Sequence, residues 1–497
     1  MVRMVMALTA KKADDDTVKG GVPSEELMSR VAAGVLENAP LRNGRTLIIC
    51  GKGGNGGDGY ALWMLMKKKG HSVDLMDFGE SKHDGAIALR NQCRKDILPF
   101  SENADFSAYD NVIDCIFGVG LTRAPQGNYL AAIKKINASG AFVVSVDVAS
   151  GLTADGGIAL GEAVHADVTI AVQDMKPGHF LSDGLDYSGD VGVLDIGLIK
   201  VKADLNMVEE SDLSALFPPL KRNVHKGTLG RLTILGGSDS YSGAAVLAEL
   251  GASAFALGDG LVKLCVPDSI LYPVMNKITE CTLLAMPDHN GKIAYNEAYL
   301  EKAISGANAV LFGNGADISE DGKKVLSYLI EKVDCPLVLD ADALNMLSAE
   351  PSLLKQRAGA TVLTPHPREM SRLMGVPTDE ILSDPVSYAK EFASRYGVIV
   401  LLKGASSVVT DGKSTYLCAS GSPGMAKGGS GDLLAGAIAA LTAGGRDPLV
   451  AAYGAAYILG LAGESAAEEV GVYSALPTDT HRHIARIVKR LSDNCHP

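Results

Sequence analysis

Twice along this chain, short runs rich in β-branched residues alternate with longer stretches rich in alanine and leucine, the pattern of strand-helix-strand units around a mainly parallel sheet. The first series predicts strands at Thr46–Cys50, Val73–Phe78, Asn111–Phe117, Phe142–Val148 and Asp167–Val172. The second predicts strands at Arg231–Gly236, Leu261–Val266, Ala309–Gly313, Leu337–Asp340, Ala360–Thr364, Val398–Lys403 and Ser406–Thr410. Between Asp195 and His225 the text turns irregular, with Pro218-Pro219 and the pair Lys221-Arg222, which marks a junction with room for one helix. A chain of 497 residues exceeds one hydrophobic core. The expectation is α/β with two domains, residues 1–208 and 209–497, and no internal repeat at a fixed period.

Composition narrows the class. Apolar residues at 47% and charged residues at 21% are enough apolar matter to bury cores and too little charge for a disordered chain. Lys and Arg number 46 against 58 Asp and Glu, a balance of −12 that repels phosphate backbones and anionic lipid and leaves small-molecule chemistry as the default. The apolar run Leu449 to Gly463 falls short of the roughly 20 residues a membrane helix needs, and reads as a buried helix. The N-terminus, MVRMVMALTAKKADDD, lacks a long apolar segment and meets three acids where a cleavage site would lie, so a cytoplasmic protein is expected. Eight cysteines, at 50, 93, 115, 265, 281, 335, 418 and 495, show neither C-x-x-C nor metal spacing and read as reduced core thiols.

Strand Thr46–Cys50 runs into Gly51-Lys52-Gly53-Gly54-Asn55-Gly56-Gly57-Asp58-Gly59, with a helix predicted from Tyr60 to Lys69. Glycine lets backbone N–H groups approach a ligand, and the following helix presents its positive end, so the turn suits an anion. Tight packing of strand on helix would ask for the same glycines. The pattern is neither a P-loop nor the usual G-x-G-x-x-G spacing. Two more strand ends carry oxygen ligands, Asp114 in DCIFGVGL and Asp147 with Ser150 in SVDVASG. Ligands of a doubly wound sheet bind at the carboxyl ends of strands, so Asn55, Asp114, Asp147 and Ser150 are expected to converge on a weakly charged, monovalent-cation type of site.

With GVPS and Leu27-Met28, CGKGGNGGDG, DCIFGVGL, SVDVASG and Lys176-Pro177-Gly178-His179 on the page, the first two hundred residues resemble the NAD(P)H-hydrate epimerase family, which interconverts the R and S hydrates of nicotinamide cofactors. The resemblance implies a Rossmann-like domain, potassium held by Asn55, Asp114 and Ser150, and hydrate held by Gly54, Asn55, Gly56, Gly57, Asp58, the loop Gly118, Val119, Gly120, Leu121, Thr122 and Arg123, and Asp147. Asp147 would handle protons at the ring. The chain departs from the family at Gly54, where a second asparagine is usual, at Ala149, where proline is, and at Val31-Ala32, where an Ala-Gly pair is.

The second half carries GGSDSYSGAA at 236–245 and, near the end, Gly424-Met-Ala-Lys-Gly-Gly-Ser-Gly-Asp432 opening a helix marked by Leu434, Ile438 and Leu441. Asp432 thus sits in a first turn with amides from Gly429 to Leu433 around it, a nest for a transferring phosphoryl group beside a base for the attacking hydroxyl. A plain helix cap is the bland alternative. HKGTLGRLTILGGSDSYSGAA, Asp340-Ala-Asp342-Ala-Leu344, LTPHP around His366, Leu402-Lys403-Gly404-Ala405 and GSGDLLAG together resemble the ribokinase-like NAD(P)H-hydrate dehydratase family. That family uses ADP or ATP to phosphorylate the S hydrate and then expels phosphate.

The resemblance implies Asp432 as catalytic base, Gly431 in the anion hole, nucleotide on Lys403, Gly404, Ala405, Ser406 and Ser407, and hydrate on Ala244, Gly315, His366 and Asp432. His366 between prolines also reads as a rigid turn residue. Asp340 and Asp342 are open between a Mg2+ and phosphate role and a structural one. Gly313-Asn314-Gly315-Ala316-Asp317 stands where Gly-Pro-Gly-Leu-Gly is usual, and Arg368 where glycine is. The expected protein is a bifunctional repair enzyme, isomerase and lyase, using K+, Mg2+ and a nucleotide with ADP first. It would bind NADHX, NADPHX and adenine nucleotide but no nucleic acid or membrane, and form a homo-oligomer, a tetramer among its options. The rival is a ribokinase-like kinase of a vitamin-precursor alcohol with a non-catalytic N-terminal binding domain.

Overall fold

The computed structural model describes residues 1–219, 221–226, 229–254 and 260–495; Gly227 and Thr228 of the HKGTLG motif and the Cys495 thiol lie outside the description. The chain divides into two compact units, Arg3–Leu205, and Asn206–Pro497 with Met1 and Val2.

The first unit is built on a seven-stranded sheet in the order Ile97–Pro99, Val73–Asp77, Thr46–Cys50, Asn111–Cys115, Phe142–Val146, Val168–Val172, Asp190–Leu194, with every pairing parallel. The chain runs from strand Thr46–Cys50 outward to Val73–Asp77 on one side and then returns to Asn111–Cys115 on the other, so the sheet reverses its order there and opens a crevice at the carboxyl ends. All five residues of this strand and of Asn111–Cys115 are buried, and both read mainly as short apolar β-branched runs, with Asp114 a buried exception at the strand end. The outer strands Ile97–Pro99 and Asp190–Leu194 were not expected. One is three residues long and ends in proline, and the other, Asp-Val-Gly-Val-Leu, is mostly exposed and broken by a glycine, so neither carries a long buried apolar run.

The second unit has strands in the order Thr415–Cys418, Ser407–Thr410, Ile399–Leu402, Thr361–Leu363, Leu337–Leu339, Ala309–Phe312, Arg231–Leu235, Leu261–Pro267, Thr282–Met286. From Ile399–Leu402 to Thr282–Met286 all pairings are parallel; Ser407–Thr410 and Thr415–Cys418 return as an antiparallel meander. The helices Ser242–Ala254, Ser430–Ala443 and Pro448–Val470 pack their Ala-rich faces into one core with Ile234, Leu264, Leu311 and Leu401. Small side chains let helix backbones approach closely, and Gly436 does so to a degree no Cβ allows, since one built there would stand 1.9 Å from the Ala248 carbonyl oxygen. Helix Pro448–Val470 extends beyond the apolar run read from the sequence. At 23 residues it is long and apolar enough to cross a membrane, and its buried residues, among them Ala451, Ile458 and Ala462, belong to this core. The junction holds a 3-10 helix, Glu210–Leu216, whose Leu213 and Leu216 are fully buried.

Two candidate active sites

In the first unit the helix after strand Thr46–Cys50 begins at Gly54, not at Tyr60, so the glycine-rich stretch is largely helical. The glycines divide into two groups. A Cβ on Gly56 would stand 2.0 Å from the Gly51 carbonyl oxygen and one on Gly59 2.5 Å from Cys50 Sγ, so these serve the close approach of helix to strand. Gly53 meets nothing within 4 Å and Gly54 meets only the His83 ring at 3.8 Å, so these two are open at the helix start. Packing and ligand access therefore share one run of glycines, which composition alone could not separate.

Asn55 donates from Nδ2 to the carbonyls of Phe117 (2.8 Å) and Val146 (3.1 Å), tying the helix start to two strand ends. Its Oδ1 is buried without a partner. Ser150 Oγ donates to Asp114 Oδ1 at 2.6 Å and accepts from Phe117 N at 2.8 Å, and Asp114 also accepts from Ser150 N, Ser145 Oγ and Ile116 N. The three expected ligand residues are thus brought around the Phe117 peptide. Asp114 is fully buried, and burial pushes its carboxyl up although four hydrogen bonds pull it down.

Asp147 follows strand Phe142–Val146 with φ +69°, a conformation a non-glycine residue holds only where its surroundings enforce it. The enforcement is visible. Lys176 Nζ, 1% exposed, donates to Asp147 Oδ1 at 2.5 Å and to the Val172 carbonyl at 2.8 Å. Val119 N donates to Oδ2 at 3.2 Å, and His179 Nε2 donates to the Asp147 carbonyl at 2.9 Å. Burial raises the Asp147 carboxyl, but the Lys176 charge and hydrogen bond outweigh it and hold it below the ordinary value. Burial and the same lysine depress His179 to about 4, so its imidazole is neutral, with the proton on Nε2. Asp58 goes the other way, pushed well up by burial and by the charges of Asp147 and Asp14. Gly120, Thr122 and Arg123 are exposed, and among the described hydrogen bonds none joins them to Asp147 or Asn55. Lys176 and His179 were in view as part of a motif, but sequence spacing gave no sign that both fold back onto residue 147.

In the second unit the predicted residues gather at the carboxyl ends of four adjacent parallel strands, which release Asn314, Asp340, Thr364 with His366, and Lys403 side by side. Lys403 Nζ donates to Asp340 Oδ1 at 2.9 Å and lies 4.0 Å from Glu369 Oε2. Thr364 Oγ1 donates to the same Asp340 oxygen at 2.7 Å. Asn314 Nδ2 donates to Asp340 Oδ2 at 2.9 Å and to Asp432 Oδ1 at 2.8 Å. Helix Ser430–Ala443 starts above this cluster, and a Cβ on Gly431 would meet Lys403 Nζ at 3.2 Å, so a side chain there would crowd the lysine. Two of the five expected amides are spent: Ser430 N–H on the Lys427 carbonyl and Leu433 N–H on that of Gly429. The cradle is therefore narrower than Gly429 to Leu433.

Burial pushes the Asp432 carboxyl up to about 7; Asp340 adds to this, while Asn314 and Lys403 pull against it. His366 caps helix Pro367–Met374, its Nδ1 accepting from Arg368 N and Glu369 N and its own N–H donating to Glu369 Oε2. Burial and Lys403 lower the ring's pKa, and with Nδ1 so occupied its remaining donor, Nε2–H, lies 3.4 Å from Glu369 Oε1. His366 is thus a helix-capping turn residue in this structure. Gly315, φ +63°, abuts Ala244, which a Cβ would reach at 2.8 Å, so these two expected contacts share one wall. Ser406 Oγ is buried without a partner in the loop between Ile399–Leu402 and Ser407–Thr410. Asp340 accepts from Lys403, Thr364 and Asn314, and Asp342 accepts from Asp317 N and Asn345 Nδ2, so both carboxylates tie the strand ends together. Among the described residues no cluster of three His, Cys, Asp or Glu has metal-binding geometry, and the seven described cysteines are free thiols.

A carboxylate at a glycine-opened helix start, a lysine beneath it and a parallel sheet feeding both give the second unit a ribokinase-like fold. A ribokinase-like superfamily protein from Enterococcus faecalis shares that fold at TM-score 0.51 and 21% identity, over 59% of this chain and 99% of that one. The model of NAD(P)H-hydrate dehydratase matches residues 232–486, and that of the YjeF-related protein N-terminus matches residues 24–178. The chain belongs to the bifunctional NAD(P)H-hydrate repair enzyme family. It is 31% identical to the enzyme of that name from Moorella thermoacetica, over 95% of this chain and 94% of the relative, and 33% identical to that from Thermofilum pendens, over 96% and 94%. The ADP/ATP-dependent NAD(P)H-hydrate dehydratase of Bacillus subtilis, crystallised with ATP and Mg2+, superimposes with TM-score 0.50 and 29% identity, over 57% of this chain and 98% of that one.

Proposed function

We propose that residues 1–208 epimerise the R and S hydrates of NADH and NADPH and that residues 209–497 dehydrate the S hydrate at the expense of ADP or ATP, with ADP the first choice. The observation that carries the dehydratase is Asp432, joined through Asn314 and Asp340 to Lys403 directly beneath Gly431. Asp432 takes the proton of the hydrate's hydroxyl as its oxygen attacks the terminal phosphorus and the bridging P–O bond breaks, releasing AMP from ADP or ADP from ATP. Lys403 and the Gly431 amide hold the phosphoryl oxygens, and Ser406 Oγ offers a buried donor to the nucleotide. His366 and the Ala244–Gly315 wall hold the hydrate. Phosphate, a better leaving group than hydroxide, then departs with the C–O electrons while the adjacent ring carbon gives up a proton, and the reduced ring is restored.

In the epimerase, Lys176 favours the ionised form of Asp147 while burial and the nearby Asp147 and Asp14 charges favour the protonated form of Asp58, two carboxyls whose surroundings push base and acid apart. The orphaned Asn55 Oδ1, with Asp114 and the Phe117 carbonyl, fits K+, which would supply a fixed positive charge at the strand ends. Exchanging K+ for choline is expected to lower epimerisation about tenfold, with dehydration unchanged and K+ restoring the rate; an equal loss of both activities would reject this site. A homo-oligomer, with a tetramer as the first state to look for, and a cytoplasmic location complete the reading.

The test of the whole is to incubate a mixture of hydrates with ADP or ATP and follow the reduced-nicotinamide absorbance. Recovery is expected; a stable phosphorylated product without recovery supports a vitamin-precursor kinase instead. The base must be ionised to act, so dehydration is expected to climb tenfold per pH unit up to about 7 and level off above it. A limb in the ordinary carboxylate range would show that Asp432 is not the group titrating.

A further inference from the structure

Asn314 is fully buried, lies in the turn after strand Ala309–Phe312, and is assigned no role by the reading above. Among the described residues its amide is the one hydrogen-bonding bridge between the two carboxylates of the cluster. One Nδ2 hydrogen goes to Asp432 Oδ1 at 2.8 Å and the other to Asp340 Oδ2 at 2.9 Å, so both donors are used. Chemistry fixes this orientation, because the flipped amide would turn an acceptor oxygen on two acceptor carboxylates. The cost is carried by Oδ1, buried without a partner. The fold holds the turn firmly: Gly237 N donates to the Asn314 carbonyl at 2.8 Å, and Gly313 and Gly315 on either side have φ of +124° and +63°.

The consequence for Asp432 is an asymmetric carboxylate. Oδ1 is pinned by Asn314, while Oδ2 accepts no hydrogen bond among the described residues. A base with one anchored oxygen cannot rotate its other oxygen away from the hydroxyl it must deprotonate. The same amide ties the base to Asp340 and through it to Lys403, so base and phosphate-holding cation share one rigid frame. We propose that Asn314 is a positioning residue of the dehydration centre, anchoring Asp432 through one oxygen so that the other is presented as the proton acceptor. This inference rests on Asp432 being the base.

The experiment compares Asn314→Ala and the isosteric Asn314→Asp with the parent chain in kcat and KM across pH 5.5 to 9.5, with thermal melting as the check on folding. Donation to Asp432 Oδ1 favours the ionised form, so removing it shifts the rising limb to higher pH. For Asn314→Ala the expected result is a loss of kcat of about tenfold or more at pH 7 that shrinks as pH rises, with nucleotide KM changed less than about threefold. Asn314→Asp, which replaces the shared donor by a third carboxylate, is expected to move the limb further in the same direction. A limb that stays in place in both variants, whether the rate falls uniformly or not at all, overturns the proposal. Asp432→Asn run in parallel separates the two readings: if it retains full activity the base assignment fails, whereas if it is inactive and the Asn314 limb is unmoved, only the positioning role fails.

Discussion

Asp432→Asn is expected to lower nucleotide-dependent dehydration by about three orders of magnitude, the usual worth of a positioned general base, while epimerisation by the same chain continues. The substitution is close to isosteric, and an asparagine oxygen at 432 still accepts from Asn314 Nδ2, so the cluster of Asn314, Asp340 and Lys403 stays paired. What is lost is the ability to take a proton. Because burial already holds the carboxyl near neutrality in the parent, the variant's residual rate is expected to lose the rising limb below pH 7 altogether. Single-turnover recovery of reduced-nicotinamide absorbance from the S hydrate with ADP measures this, and a variant within threefold of the parent would remove Asp432 from the mechanism.

Lys176→Met is expected to have the largest structural effect. Lys176 and Asp147 form a buried pair, with side chains 2% and 13% exposed. Removing the lysine leaves a carboxylate unpaired and the Val172 carbonyl without its donor, which for a broken buried pair costs about 3–5 kcal/mol. At two to four degrees per kcal/mol for a unit of this size, the melting of Arg3–Leu205 should fall on the order of ten degrees. The depressed Asp147 carboxyl gives the pH dependence its sign. In the parent, its contribution is complete above the ordinary carboxylate range and drains away as pH falls through the lowered folded value. In Lys176→Met that part of the acid-side loss should vanish, because Asp147 is no longer held down by the lysine. The double variant Asp147→Asn with Lys176→Met, which removes both charges, should regain much of the lost stability yet not epimerise. Calorimetry of the three variants decides the matter: a double variant no more stable than the single one would show that Lys176 acts through packing alone.

Strand positions were legible from the sequence where a strand is buried on both faces, as Thr46–Cys50 and Asn111–Cys115 are, because burial favours a mainly apolar, β-branched run. Edge strands such as Asp190–Leu194 carry no such demand and went unseen. The start of the helix after Cys50 was placed six residues late, because glycines that serve close packing were read as loop. Motif residues at strand ends were legible as candidates, Asp432, Asp147, Asn55 and His366 among them. Their partners were not: Asn314 lies 118 residues from Asp432, and Lys176 lies 29 from Asp147.

The order of residues along this chain determined by itself the two α/β halves, the glycine-opened helix starts and the oxygen-bearing side chains at strand ends, since each depends on local conformational preference and on periodic burial. Tertiary structure alone decided which charges meet. Lys176 became the counter-ion of Asp147, and one asparagine came to bridge Asp340 and Asp432, because parallel strands far apart in sequence release their side chains at a common edge, where electrostatics acts through space rather than along the backbone.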